Sequence, residues 1–260
     1  MDRIGPIVCV LVETIKQHRR RSDFMSKLKE RISRLYYHLK REPPITNSAI
    51  TKELIGTLVS RPDPIILEIG CNDGDNTRWF LEIFKSPTIF CFEPDPRATA
   101  RFKHNLGEQK EISLYEYAIG SQNGEATFYM SGGQETEKMP EGWDLSGSIR
   151  KPKNHLVVHQ WCTFEKNIPV QTKTLDTWCA EQGIDRIDFI WMDVQGAEMD
   201  VISGGRNALQ STRFLYTEYN NNELYEGQPS LKQLLKELAG FDVVARYPDD
   251  ILLKNKVNLL

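Results

Sequence analysis

The sequence predicts an α/β fold in which a mostly parallel sheet carries helices on both faces. Short apolar runs alternate with helical patterns over residues 48–240, an order typical of parallel strands joined by crossover helices. Two further apolar runs, 241–246 and 250–254, predict a C-terminal antiparallel hairpin. With 260 residues, 40% of them hydrophobic, the chain is long enough for one main domain with a buried core.

Residues 1–44 form an N-terminal extension to the main domain at 45–260. The extension holds 11 Lys and Arg residues against 5 Asp and Glu residues, whereas the whole chain carries a net charge of −3. Apolar side chains recur at helical spacing from Phe24 to Leu39 with basic residues between them, which predicts a basic amphipathic helix. We interpret it as a helix packed on the domain; the alternative is a weak membrane-surface or protein contact through residues 16–41.

Prolines, glycines and polar caps delimit the elements in the first half of the main domain. Pro43 and Pro44 end the extension, while Asp95 followed by Pro96 is a favourable helix start that Gly107 ends. Continuous apolar runs of about five residues predict buried strands. The predicted helices are 48–60, 77–84 and 96–106, and the predicted strands are 65–69, 88–92, 112–119 and an edge strand at 125–130.

The stretch 131–169 lacks a clean period and is rich in glycine, tryptophan and histidine. We predict that it is an insertion that serves as a binding loop or lid. Regular alternation resumes after it. The predicted helices there are 175–182, 198–203 and 230–239, and the predicted strands are 189–192 and 214–218.

A glycine-rich turn at 68–74 follows the first strand and predicts a ligand site. Gly70 allows the chain to turn sharply, and Gly74 removes a side chain where a ligand would approach the backbone. Glu93 ends the second strand, 19 residues after Gly74. A carboxylate at that position can accept both hydrogen bonds from a ribose diol.

Two polar residues within the turn, Asn72 and Asp73, are candidates to hold an amino-acid end of the ligand. The turn lacks the full G-x-G-x-x-G spacing of a dinucleotide site. A structural alternative is that Glu93 only caps the turn that follows it and that the glycines serve the packing of strand against helix.

Further motifs follow in a consistent order along residues 65–222. They are LEIGCNDG (67–74), FCFEPDP (90–96), AIGSQNGEATFY (118–129), TKTLDTWCAEQGIDRIDFIWMDVQGAE (172–198) and DVISGG (200–205). Together they resemble the FkbM family of S-adenosylmethionine-dependent methyltransferases. The resemblance implies a Rossmann-like class I methyltransferase fold that transfers methyl groups from S-adenosylmethionine, usually to oxygen, in sugars, polyketides or other natural products. The cofactor end that we assign comprises Glu68, Gly70, Asn72, Asp73, Gly74, Glu93 and Ala118.

The sequence departs from the pattern of the family at two motifs. The first motif more often begins with Asp, where this chain keeps the charge with Glu68. The fourth-strand motif more often reads Lys-x-Asp-Val-Glu, where this chain has Trp191, Asp193 and Gln195. The change at Gln195 leaves open whether that position has the same role.

Asp193 is the first candidate for catalysis because it lies just beyond the carboxyl end of a predicted strand, where open α/β sheets bind ligands. A methyl group on a sulfonium is already activated, so the enzyme chiefly aligns the acceptor and removes a proton. We hypothesise that Asp193 is the base or orients the acceptor hydroxyl, with Glu198 and His155 as second candidates. The alternatives are that Asp193 caps the helix beginning near Gly196 and that Glu198 is a first-turn dipole partner.

The segment 218–221 ends the fifth predicted strand at the same rim, so we interpret it either as acceptor contacts or as a polar loop. Asp193, Glu198 and Glu218 offer oxygen ligands of the type that magnesium prefers. Three carboxylates scattered along the sequence do not make a metal motif, however, and we predict no metal site.

Composition also bears on the compartment, the partners and the class of the protein. The five cysteines form no C-x-x-C pair, which predicts reduced thiols in a cytoplasmic protein. The acidic main domain argues against a nucleic-acid partner, so we expect a small-molecule or glycan acceptor. Two rival interpretations are a catalytically silent cofactor-binding module recruited through the N-terminal helix and a nicotinamide-dependent Rossmann oxidoreductase. The oligomeric state is not predicted.

Overall fold

The computed structural model of the chain describes residues 43–46, 48–133 and 142–257. The chain divides into two units, Met1–Ile45 and Thr46–Leu260. The predicted basic helix of the extension falls outside the described residues, and its role stays a prediction. Within the described ranges, every helix is too short or too polar to cross a lipid bilayer.

Within the described residues, ten strands form two separate sheets. They are β1 (Ile65–Ile69), β2 (Thr88–Phe92), β3 (Ile112–Tyr115), β4 (Ala118–Ile119), β5 (Gly124–Gly133), β6 (Cys162–Lys173), β7 (Ile187–Met192), β8 (Thr212–Glu218), β9 (Phe241–Arg246) and β10 (Asp250–Asn255). The main sheet has the order β3-β2-β1-β7-β8-β10-β9. All its neighbours pair in parallel except β10, which is antiparallel to both β8 and β9. The predicted mostly parallel sheet with a C-terminal hairpin is therefore confirmed.

Eight helices accompany these strands in the part of the chain that the structure describes. They are α1 (Lys52–Val59), α2 (Asp75–Ile83), α3 (Pro96–Leu106), α4 (His155–Val158), α5 (Leu175–Gln182), α6 (Glu198–Gly204), α7 (Arg206–Gln210) and α8 (Leu231–Glu237). The start predicted for α3 is confirmed, since the Asp95 side chain accepts from the Arg97 backbone N–H at 2.9 Å, Pro96 is the first helical residue and Gly107 is the C-cap.

The main sheet is covered on both faces, and side chains alternate between two hydrophobic clusters along its strands. On β1, Leu67 and Ile69 enter one cluster together with the fully buried Trp178 of α5. Ile66 faces the other way and packs in the second cluster with Phe80 of α2. This double burial explains why the central strands appear in the sequence as unbroken apolar runs.

The predicted strand 112–119 is wrong as a single element. It divides into β3, at the edge of the main sheet, and β4, which belongs to a three-stranded sheet of order β4-β6-β5. β5 is likewise not an edge of the main sheet, because it pairs antiparallel with β6. β6 was not predicted, because Pro169 and several charged residues interrupt any apolar alternation along a strand that is mostly half-buried or exposed. The predicted insertion therefore contains a long strand and the short helix α4.

Two leucines, Leu234 and Leu156, differ strongly in how far their side chains are buried. Leu234 of α8 is fully buried in the main cluster, whereas Leu156 of α4 is 47% exposed. We expect Leu234→Ala to lower the free energy of unfolding by about 2–5 kcal/mol, because it removes buried methyl groups and leaves a cavity. Leu156→Ala serves as the matched control and should change it by no more than about 0.5 kcal/mol. Urea unfolding of both variants measures the difference, and equal losses would contradict the assigned core.

Candidate active site

A cleft with a volume of about 210 Å³ opens at the carboxyl ends of β1, β2 and β7. Gly70, Glu93 and Asp193 line it from these three strand ends. Its opposite wall comes from the second sheet and its loops, including Phe128 of β5 and residues within 144–149. Part of the predicted insertion therefore lies against the predicted cofactor residues. Ala118 and Asn72 line the same cleft.

The end of β1 touches the end of β7 through Gly70. Gly70 has a φ of +88°, and a Cβ atom there would lie 1.8 Å from the backbone oxygen of Asp193. The Asp193 backbone N–H in turn donates to the Ile69 carbonyl oxygen at 2.9 Å. Glycine is required here for two reasons. Other residues are strained in this left-handed region, and any side chain would collide with the backbone of Asp193.

Gly74 has a different role from the one that its motif suggests. Its φ is +87°, and a Cβ there would lie 2.5 Å from Leu106 and 2.9 Å from Phe102, both on α3. A residue without a side chain is therefore needed at position 74 because α3 packs against it. Gly74 does not line the cleft. The structure at Gly74 agrees with the alternative that the glycines of the turn serve packing against a helix.

Glu93 presents a buried carboxylate to the cleft. Its Oε2 accepts from the Asn72 backbone N–H at 3.0 Å, and its Oε1 accepts from the Asp95 backbone N–H at 2.8 Å. The side chain is only 6% exposed, and burial raises its pKa to about 7. Because each carboxylate oxygen has two lone pairs and one is engaged on each, the group keeps acceptor capacity toward the cleft.

Glu68 lies beneath the turn and does not line the cleft. It is fully buried, and the Thr77 hydroxyl donates to its Oε2, while Oε1 has no hydrogen-bond partner. Burial raises the pKa of Glu68 to about 8, so the carboxyl is largely protonated at neutral pH. This position supports the turn from below.

The remaining turn residues connect to the insertion through an arginine. Asn72 has a φ of +43°, and its Oδ1 accepts from the Asp73 backbone N–H at 2.9 Å and from Arg101 Nη2 at 3.2 Å. Arg101, on α3, also forms an ion pair of 2.5 Å with Asp144. Asp144 is 4% exposed and lines the cleft, whereas Asp73 does not. The arginine thus links the wall of the cleft formed by 142–149 to the glycine-rich turn.

Asp193 and Glu198 follow β7 at the rim of the cleft. Asp193 lines the cleft, and its Oδ1 accepts from Gln195 Nε2 at 2.7 Å. Glu198 is buried at the start of α6, where its Oε1 accepts from the Gly196 backbone N–H at 3.1 Å and its Oε2 has no hydrogen-bond partner. Burial raises the pKa of Glu198 to about 7. Of these two candidates, only Asp193 contacts the open space.

His155 does not line the cleft. It is buried at the start of α4, with its ring 5.4 Å from the Tyr225 ring and 4.8 Å from the His159 ring, and its Nδ1 has no hydrogen-bond partner. Burial, with a smaller contribution from His159, lowers the pKa of His155 to about 4. The structure therefore does not bring this predicted catalytic candidate to the cleft.

Several residues that shape the site were not predicted. Asp144, Arg101 and Tyr225 are far apart in the sequence, and no spacing rule connects them. The only signal was general: Asp144 lies between two glycines in the aperiodic stretch that we interpreted as a lid. Among the residues that the structure describes, no group of three or more His, Cys, Asp or Glu side chains is arranged to hold a metal ion.

Comparison with known proteins agrees with this architecture. The sequence model described as the methyltransferase FkbM domain matches residues 68–245. The 2-O-methyltransferase NoeI of Sinorhizobium fredii (strain NBRC 101917 / NGR234) is 50% identical over 214 residues, which cover 81% of this chain and 87% of NoeI. Fold and relatives together define a Rossmann-like methyltransferase of class I. The chain belongs to the FkbM methyltransferase family.

More distant similarities were also found. Methyltransferase 1 of Beauveria bassiana (strain ARSEF 2860) is 24% identical over 147 residues, which cover 55% of this chain and 58% of that protein. The solved structure of the N-methyltransferase NodS from Bradyrhizobium japonicum WM9, in complex with S-adenosyl-L-homocysteine, aligns with a TM-score of 0.43 and 13% identity. That alignment covers 78% of this chain and 83% of NodS.

The lowered pKa of His155 predicts a pH-dependent loss of stability. The unfolded chain binds a proton near pH 6.5, whereas the folded protein does so only near pH 4. The free energy of unfolding therefore falls as the pH drops from 6.5 to 4, by about 3 kcal/mol at most. We expect His155→Gln to lack this contribution when urea unfolding is compared at pH 7 and pH 5. His104→Gln, at an exposed position, is the control, and parallel pH dependence in all three proteins would contradict the assignment.

Proposed function

We propose that this methyltransferase transfers a methyl group from S-adenosylmethionine to a hydroxyl oxygen of a sugar or another small metabolite. One observation carries the proposal: Glu93 presents a buried carboxylate, fixed by two backbone amides, to the cleft at the strand ends. Transfer to oxygen is supported by the similarity to NoeI, which is named as a 2-O-methyltransferase.

The residues that line the cleft fit such a cofactor. Glu93 would accept hydrogen bonds from the ribose hydroxyls, and Gly70 and Asn72 would face the amino-acid end. Phe92 and Ile119 provide apolar wall for the adenine ring. The shortened glycine motif favours this ligand over a nicotinamide dinucleotide. Glu68, Asp73 and Gly74 would support the turn without touching the cofactor.

Asp193 is the proposed base. Bound S-adenosylmethionine supplies a methyl group that is already activated by its sulfonium. Asp193 lines the cleft and is positioned by its backbone contact with the end of β1, so its carboxylate would accept the proton of the acceptor hydroxyl. Glu198 would instead cap the loop before α6, because its carboxylate is engaged by the Gly196 backbone N–H and does not line the cleft.

Composition and burial support a proposed class of acceptor and a proposed location of the enzyme. The net charge of −3 supports a small-molecule or glycan acceptor over a nucleic acid. A cytoplasmic location is supported by the free, buried thiols of the four described cysteines. The proposed weak contact of residues 16–41 with a membrane surface or a protein rests on sequence alone.

Replacing Glu93 by Gln should weaken binding of the methyl donor. The glutamine would lose the negative charge and would turn an NH₂ group toward one of the two backbone N–H groups that now donate to Glu93. We expect an increase of about 10- to 100-fold in the Kd for S-adenosylmethionine, measured by calorimetry. Glu108→Gln makes the same change at an exposed position and is the control. Unaltered affinity in Glu93→Gln, or binding of NAD in place of S-adenosylmethionine by the unmodified enzyme, would refute the proposed cofactor.

Replacing Asp193 by Asn should separate catalysis from donor binding. The asparagine keeps the shape of the side chain but cannot take a proton, so we expect the rate of methyl transfer to fall by about 10²- to 10⁴-fold. The Kd for S-adenosylmethionine should stay within about threefold, because Asp193 is not assigned to the ribose end. Tritium transfer from labelled donor to a panel of methyl glycosides measures the rate. Asp185→Asn, which is exposed, is the control; full activity in Asp193→Asn would remove Asp193 from the mechanism.

A further inference from the structure

Gln195 joins three elements beside the cleft through its terminal amide. Its Nε2 donates to Asp193 Oδ1 at 2.7 Å and to Glu218 Oε2 at 3.0 Å. Its Oε1 lies 3.2 Å from the hydroxyl oxygen of Tyr225, and that hydroxyl is also 2.7 Å from the carbonyl oxygen of Ser146. One side chain therefore connects the end of β7, the end of β8 and the loop 142–149 that faces them.

The backbone around Gln195 is held in an unusual conformation. Gln195 has a φ of +50° and Gly196 a φ of +91°. A Cβ on Gly196 would lie 2.8 Å from the Cβ of Tyr225, so the turn is packed directly against that residue. A left-handed conformation costs a residue other than glycine about 1 kcal/mol or more. The contacts of the Gln195 amide lie at the position where this strain is concentrated.

Only an amide satisfies all these contacts at once. Two N–H donors reach two carboxylates while the carbonyl oxygen faces a hydroxyl, and glutamine and asparagine are the side chains that offer this combination. A glutamate at this position would remove both donors. It would also place a third carboxylate beside Asp193 and Glu218, where like charges disfavour ionisation.

Further carboxyl and phenol groups lie around this pair. The titratable groups that interact with Asp193 or Glu218 come from α6, β8, β10 and the loop after β8: they are Glu198, Tyr216, Asp250 and Tyr225. Tyr247 and Asp249 interact in turn with Tyr216 and Asp250. Burial, followed by the charge of Asp193, raises the pKa of Glu218 well above its usual value. Burial also raises the pKa of Asp250 to about 6.

We propose that Gln195 is a positioning residue whose amide N–H groups fix the Asp193 carboxylate relative to Glu218, so that Asp193 is held in place to take the acceptor proton. The inference rests on the proposed function. In the reaction, the acceptor O–H bond breaks and its proton moves to the Asp193 carboxylate. The freed electron pair forms the O–CH₃ bond, and the electron pair of the broken S–CH₃ bond stays on sulfur.

The test is a carboxyl-amide swap. Gln195→Glu adds a like charge, and we expect the midpoint of the acid limb in the pH profile of kcat/KM to rise by about one unit. At pH 7 the rate should then fall by up to about tenfold, while the Kd for S-adenosylmethionine stays within about threefold. The double variant Gln195→Glu, Glu218→Gln restores one amide and two carboxyls, so its midpoint should return toward that of the unmodified enzyme. Gln122→Glu, in an exposed loop, should leave the profile unchanged.

Carboxyl titration by ¹³C NMR makes the inference testable even without an acceptor. Difference spectra against Asp193→Asn and Glu218→Gln identify the two resonances, and Gln195→Glu should raise the titration midpoint of Asp193. A profile and a titration identical to those of the unmodified enzyme, or a double variant shifted as far as Gln195→Glu, would overturn the role of Gln195. Absence of donor binding in the unmodified protein would instead overturn the proposed function, while the carboxyl titration would still decide the role of Gln195.

Discussion

The contact between Gly70 and the backbone of Asp193 is the constraint on which the site depends. It joins the end of β1 to the end of β7 so closely that a single Cβ atom would lie 1.8 Å from the Asp193 carbonyl oxygen. The turn that we propose faces the cofactor and the residue that we propose as base are therefore joined directly through the backbone. Because donor and acceptor must meet within a few tenths of an ångström, such a connection contributes directly to alignment.

The central part of the fold was predictable because its residues obey local rules. The doubly buried strands β1, β2 and β7 appear as apolar runs, and α3 has its cap, its proline and its terminal glycine in the expected order. β6 was missed because most of its residues are half-buried or exposed and Pro169 lies within it. A strand of this kind is specified by pairing with β5, a long-range interaction that leaves no periodic signal in its own sequence.

The candidate site was predictable only where one residue acts through its own position on a strand end. Glu93 and Asp193 each follow a strand of the main sheet, so the topology alone places both at the cleft. Gly74 illustrates the opposite case. Its place in the motif suggests ligand contact, but Phe102 and Leu106 fill the space beside it. Arg101, Asp144, Gln195 and Tyr225 depend on contacts between distant segments, which spacing along the chain does not reveal.

The division of the cleft between two sheets affects how this enzyme can diverge. The wall toward Glu93 belongs to the seven-stranded sheet, whereas Phe128 and the segment 142–149 belong to the three-stranded sheet and its loops. Substitutions at Phe128 or within 142–149 leave intact the strands that carry Gly70, Glu93 and Asp193. β4 of the smaller sheet is the exception, because its Ala118 and Ile119 line the same cleft. Selection for new acceptors can therefore act on one wall while the other is preserved, and a single scaffold can give rise to enzymes with different targets.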